Sequence, residues 1–228
     1  MKRILDAKGL LWLICIVIAA VFAACDKDEE NGTGSVITAI DNVVAIVENG
    51  DKYNAQVVEV LLSRYYQDEI VAVATADFVN GGFSLELPKT VDEKYLEGLE
   101  GTGEEFRVSN KNVKIALDFN IRGITVTGAY INFVFGKVDG NTVTREVFWY
   151  ADGDLSITGS TFFSYELHED VFERTTSFSA SLKKGWNILY ITEKRERINN
   201  VETTTTNIAT KDPGGLKWYA ESDFLELR

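Results

Sequence analysis

His168 is the only histidine of the chain. With Ser164 and Asp170 close by, it supplies the residue types of a nucleophile, a base and an orienting acid. Such triads converge through the fold and not through proximity in sequence. A histidine between Glu166 and Glu169 therefore reads as a surface residue, and no hydrolase activity is expected. Structural zinc needs several Cys or His ligands. Haem is poorly served, because the only methionine is Met1. The expectation is no cofactor and no metal. Asp152-Gly153-Asp154 and Asp139-Gly140-Asn141 offer the hard oxygens that suit Ca²⁺. Neither sits in an EF-hand loop, and both read as turns built from Asx and Gly.

The aromatic residues are more suggestive. They fall in runs: Tyr65-Tyr66, Phe148-Trp149-Tyr150, Phe162-Phe163 and Trp218-Tyr219, with Trp186 apart. Neighbours on a strand point to opposite faces. One of each pair is thus expected in a core and the other outward, where a Tyr or Trp can stack on a sugar or grip a peptide. Tyr66, Trp149 and Tyr150 are the candidate ligand-binding residues. Trp186 and Trp218 are expected in the core.

Cys25 is the residue with the most definite chemistry. Lys2, Arg3 and Lys8 precede Leu10–Ala24, which carries no charge. That run is shorter than the ~20 residues a spanning helix needs, and it has the basic, apolar and small-residue regions of a secretory signal. Phe22-Ala23-Ala24-Cys25 resembles a bacterial lipobox, with Phe22 in place of the usual Leu. The resemblance implies cleavage after residue 24 and acylation of Cys25. Asp26, Lys27, Asp28, Glu29 and Glu30 follow. They look like the acidic signal that exports Bacteroidota lipoproteins to the outer face of the outer membrane. Several acyl chains would make attachment durable, at about 0.8 kcal/mol per buried CH₂.

The net charge is −12, and loss of residues 1–24 makes it more negative. Such a chain repels phosphate backbones, so no nucleic-acid partner is expected. The only other cysteine is Cys15 in the leader, so no disulfide can staple the fold. Stability must come from core burial.

These side chains need positioning, and the remaining pattern is strand-like almost throughout. Phe83, Leu85 and Leu87 alternate with Ser84 and Glu86. Asn80-Gly81 is a hairpin signal, because both residues accept positive φ. Asp139-Gly140-Asn141 reads as a second hairpin tip. Thr90 as N-cap with Glu93 three residues on predicts a short helix near residues 91–99. The expected fold is all-β, an antiparallel β-sandwich of two packed β-modules with that one short helix. The expected boundaries are 1–24 for the signal peptide, 25–35 for the acidic export signal and tether, 36–109 for an N-terminal β-module and 110–228 for a C-terminal one.

Ala76–Pro88, ADFVNGGFSLELP, is similar to the Gly-aromatic-Ser-Leu strand of transthyretin-like or carboxypeptidase-regulatory β-modules. Tyr150–Ser160, Ser181–Thr192 and Gly215–Tyr219 resemble segments of small Bacteroidota surface lipoproteins. Such proteins accompany SusC/SusD-type uptake complexes. The resemblance implies an outer-membrane, lipid-anchored, outward-facing protein. Its expected role is non-enzymatic: capture or positioning of a peptide or glycan for an importer. Two other readings stand beside it. One is an adhesion or structural protein without a small ligand, and the other a lipid-binding β-protein.

Overall fold

The structure is a computed structural model that describes residues 39–99 and 105–227. The signal segment, Cys25 and the acidic stretch Asp26 to Glu30 lie outside the described residues. The chain is all-β and sandwich-like. Among the described residues fifteen strands follow in order. They are β1 (Asn42–Ile46), β2 (Val57–Tyr66), β3 (Glu69–Ala76), β4 (Phe78–Val79), β5 (Gly82–Glu86), β6 (Glu97–Gly98), β7 (Phe106–Val108) and β8 (Lys114–Thr125). Then come β9 (Tyr130–Asp139), β10 (Thr142–Ala151), β11 (Leu155–Leu167), β12 (Asp170–Leu182), β13 (Gly185–Ile198), β14 (Val201–Ala209) and β15 (Lys217–Ala220). The one α-helix among the described residues, α1 (Glu221–Leu225), follows directly.

A small sheet, β1-β5-β4, lies apart from a large one with the order β3-β2-β8-β9-β10-β13-β14-β12-β11-β7. Strand β15 adds to β9, and β6 to β8. Pairing crosses the expected boundary near residue 109, since β2 pairs with β8 and Ile40 bridges to Trp186. Both anticipated hairpin tips form. Asn80 and Gly81 have φ of 51° and 73° between β4 and β5, and Gly140, with φ of 57°, turns β9 into β10.

Two hydrophobic cores lie on opposite faces of β10 and β13. The first joins Val43, Phe83 and Leu85 of the small sheet to Phe119, Phe148, Tyr150 and Trp186 of the large one. The second contains Val147, Trp149, Phe178, Leu189, Ile191 and Ile208. Successive side chains of a strand point to opposite faces. Neighbours on β10 therefore enter different cores.

The helix expected near residues 91–99 is not there. Glu93–Tyr95 forms a single 3-10 turn, capped by Asp92, whose carboxylate accepts the Lys94 N–H at 3.1 Å. Leu96 is extended, and Glu97-Gly98 pairs with β8. The local helix signal loses to burial of Tyr95 and to the ladder that Glu97 and Gly98 join.

Strands β8, β9 and β10 make an unusual junction. Each pairs antiparallel with both of the others. In straight strands this triangle cannot close, because two strands antiparallel to a third run parallel to each other. The strands must bend. A β-bulge supplies part of the bend: Phe119 to Ala116 on β8 spans one more residue than Phe148 to Tyr150 opposite. Asp118 lies in that span with φ of 60°.

Candidate functional site

The anticipated site residues do not converge. Trp149 is 2% exposed and Tyr150 4% exposed, which corrects their assignment to a binding surface. Alternation holds on β10, but both of its faces are covered, so neither aromatic side chain is left for solvent. Trp149 packs against Phe178, and Tyr150 packs against Trp186 and donates its hydroxyl to the Lys89 carbonyl. Tyr66 is half-buried and stands edge-on to Tyr95 at 5.0 Å. With Tyr95 and Phe119 it surrounds the buried Arg64 guanidinium at 5.7–5.9 Å. Arg64 donates to the Tyr95 carbonyl and pairs with Glu97. Tyr66 thus holds a buried cation. Trp186 and Trp218 are buried as expected, and Trp186 donates its indole N–H to the Pro88 carbonyl at 2.7 Å.

The polar candidates resolve as turns. His168 forms the β11–β12 tip with φ of 58°, and it shares no hydrogen bond with Ser164 or Asp170. Asp152 accepts the Lys114 N–H. Asp154 accepts the Lys184 N–H and pairs with Lys183, which holds its carboxyl below the usual range. Their carboxylates are spent on closing turns. Among the described residues no three His, Cys, Asp or Glu side chains group to hold a metal ion.

A cluster of exposed aromatic side chains lies elsewhere. The outer halves of β13, β14, β12 and β11, in that order, extend beyond both cores as a four-stranded arm. Strands β12 and β14 run parallel while the other pairs are antiparallel, which brings both hairpin turns to one tip. On β11 the exposed large apolar residues are Phe162 at 65%, Phe163 at 55%, Tyr165 at 47% and Leu167 at 55%. By alternation Phe163, Tyr165 and Leu167 share the face of the second core with Phe172 and Arg174 of β12. Ring contacts support this: Phe163 lies 5.7 Å from Tyr165, and Tyr165 stacks on Phe172 at 5.0 Å. Arg197 closes the far side of that face, paired with Asp170 at 2.6 Å and with Glu202 at 3.8 Å.

Strand β11 is also an edge. Strand β7 covers only Ile157–Gly159. From Ser160 to Leu167 the outer side has no partner strand among the described residues. Ser156 faces that side with both backbone groups, since its carbonyl accepts the Ser109 N–H and its own N–H donates to Ser109 Oγ. Backbone direction alternates as side chains do, so Ser160, Phe162, Ser164 and Glu166 also turn their N–H and C=O outward. Folded proteins blunt such edges with Lys, Pro or a bulge. Ser160–Leu167, STFFSYEL, contains neither Lys nor Pro. The result is an unpaired edge bearing aromatic residues on both faces.

Sequence reasoning singled out Phe162-Phe163 as a pair but not as the exposed one. No protein-family model, curated protein or solved structure matches the chain.

Proposed function

We propose that this chain is a non-enzymatic, lipid-anchored surface protein that captures extended polypeptide along the free edge of β11. The unpaired edge Ser160–Leu167 carries this reading. A peptide adding there as a further strand gains main-chain hydrogen bonds from Phe162, Ser164 and Glu166. Its side chains meet Phe162 on one face and Phe163 with Tyr165 on the other. This is β-augmentation, in which backbone pairing supplies affinity and alternate side chains supply selectivity.

The direction of the arm supports display. The first pairing of the described chain is the bridge from Ile40 to Trp186, near the start of β13. The arm tip lies at the other end of that strand, beyond Ile198. About twelve residues at ~3.3 Å each separate the two, roughly 40 Å. A tether from acylated Cys25 would hold the first end at the membrane and leave the arm pointing away. The resemblance to lipoproteins that accompany SusC/SusD-type complexes makes delivery to an importer the natural use of a captured peptide.

Amide NMR of the protein mixed with a tryptic digest of casein tests the capture reading. Saturable shifts and slowed exchange at Phe162, Ser164 and Glu166 are expected. Shifts with maltohexaose but none with the digest would overturn it in favour of a glycan. Cys25→Ala tests the anchor: label from a radioactive fatty acid should vanish, and undiminished label would refute acylation there.

A further inference from the structure

The two faces of the arm carry opposite charge beside the free edge. By alternation Phe162, Ser164 and Glu166 lie on the face of the first core, and the ladder sets Thr175, Glu173 and Val171 of β12 next to them. Glu166 and Glu173 form no ion pair or side-chain hydrogen bond among the described residues. On the same face of the arm, Lys194 of β13 is held by Glu196 at 2.7 Å. Arg107, paired with Thr158, also lies on that face. It is six residues or more along β11 from either carboxylate, about 20 Å, well beyond the ~8 Å over which surface charges act in physiological salt. The face of the second core differs. Arg174 stands there beside Phe163 without an ion pair among the described residues. Arg195 and Arg197 are held by Glu193, Asp170 and Glu202.

We propose that the peptide taken at this edge is cationic, with lysine or arginine at alternate positions and apolar or aromatic residues between them. The inference rests on capture along β11. In an added strand, residues opposite Phe162, Ser164 and Glu166 put their side chains on the first-core face. Residues opposite Phe163, Tyr165 and Leu167 put theirs on the other.

A basic residue opposite Glu166 forms a cross-strand pair of opposite charge. One opposite Ser164 stands two strand spacings, about 10 Å, from Glu173. Ser164 is too small to bar the way, so a long basic side chain reaches over it to that carboxylate. The Phe162 ring accepts the stem or the charged head of a third. On the opposite face a basic residue would meet Arg174, whereas apolar residues pack on Phe163, Tyr165 and Leu167. The net charge of −12 adds attraction at longer range.

Three labelled octapeptides test this by fluorescence anisotropy on the full chain: Val-Lys, Val-Gln and Val-Glu, each repeated four times. Val-Lys should bind about fivefold more tightly than Val-Gln, the gain from two cross-strand charge pairs, and Val-Glu more weakly than either. The preference should fade in 1 M salt, where charges act over only ~3 Å. In the double variant Glu166→Gln with Glu173→Gln, the Val-Lys and Val-Gln peptides should bind alike. Equal binding of these two to the wild type, or a preference that survives in the double variant, would overturn the charge assignment and leave edge capture standing. Binding of none of the three would overturn edge capture, and the charge assignment with it.

Discussion

Tyr165 and Phe172 face each other across the β11–β12 ladder with rings stacked, centroids 5.0 Å apart and planes 11° apart. This pair lies outside both hydrophobic cores. Together with Phe163 it builds a rigid aromatic surface on an arm that core packing does not require. The arm is the natural place to look for a partner, because its exposed aromatic residues cost solubility and stabilise little.

Substitutions on the arm should therefore separate stability from capture. Phe162→Ser changes a side chain that is 65% exposed, and surface changes of this kind stay within about 0.5 kcal/mol. Tyr165→Ala removes a stacked pair worth about 0.5–1.5 kcal/mol. Urea melts should show these small losses, while retention of casein peptides falls in both variants. Large destabilisation by Phe162→Ser would show that the arm is held by contacts beyond those described.

Trp149→Ala and Trp186→Ala should each cost about 3–5 kcal/mol, the range for truncating a buried tryptophan. Trp149 anchors the second core and Trp186 the first. Thermal melts of both variants check this. Near-wild-type melting of Trp149→Ala would contradict its burial.

That prediction reverses the reading of Trp149 as a binding residue, and the reason is physical. Alternation on Phe148-Trp149-Tyr150 was legible, but alternation says which residues share a face and not whether that face is wet. A second core on the far side of β10 came from pairings remote in sequence, such as β10 with β13 and β12 with β14. The all-β class and both hairpin tips were legible because turn chemistry is local: Asn80-Gly81 and Gly140-Asn141 carry their own backbone preferences. The 3-10 turn at Glu93–Tyr95 was misread because Thr90 and Glu93 satisfy a capping rule, while the pairing of Glu97 and Gly98 with β8 is invisible locally. The junction of β8, β9 and β10 had no sequence signal, since it exists only where three strands bend around Asp118.

Glu146→Gln should stabilise the protein in a pH-dependent way. Burial raises the Glu146 carboxyl well above 4.5 in the folded state. The folded state thus holds a proton that the unfolded state gives up, so wild-type stability falls as pH rises from the unfolded value toward the folded one. The glutamine removes that penalty, by about 1.4 kcal/mol for each unit of the shift. Denaturation at pH 4 and pH 8 checks the sign: the variant should match wild type at the lower pH and exceed it at the higher. An equal difference at both would show that ionisation of Glu146 is not at issue.

Gly159→Ala should loosen β7. Gly159 has φ of 148°, and a Cβ there would collide with the Glu105 carbonyl. Strain of this kind costs about 1–3 kcal/mol. The expected result is lower stability and faster proteolysis near Glu105–Val108. Unchanged proteolysis would mean that β7 does not depend on its close approach at this glycine.

Proline at Ser164 distinguishes edge capture from every other use of the arm. The Ser164 N–H turns outward on the free edge, so Ser164→Pro removes a donor that the fold does not use, and proline is tolerated at such edge positions. Tyr165→Pro removes a donor on the β12 side and should disrupt the arm. Ser164→Pro should keep its melting temperature within a few degrees of wild type and lose capture of casein peptides. Undiminished capture by Ser164→Pro would contradict it. So would a change only in self-association by sedimentation, because the edge would then pair with a second copy of the chain.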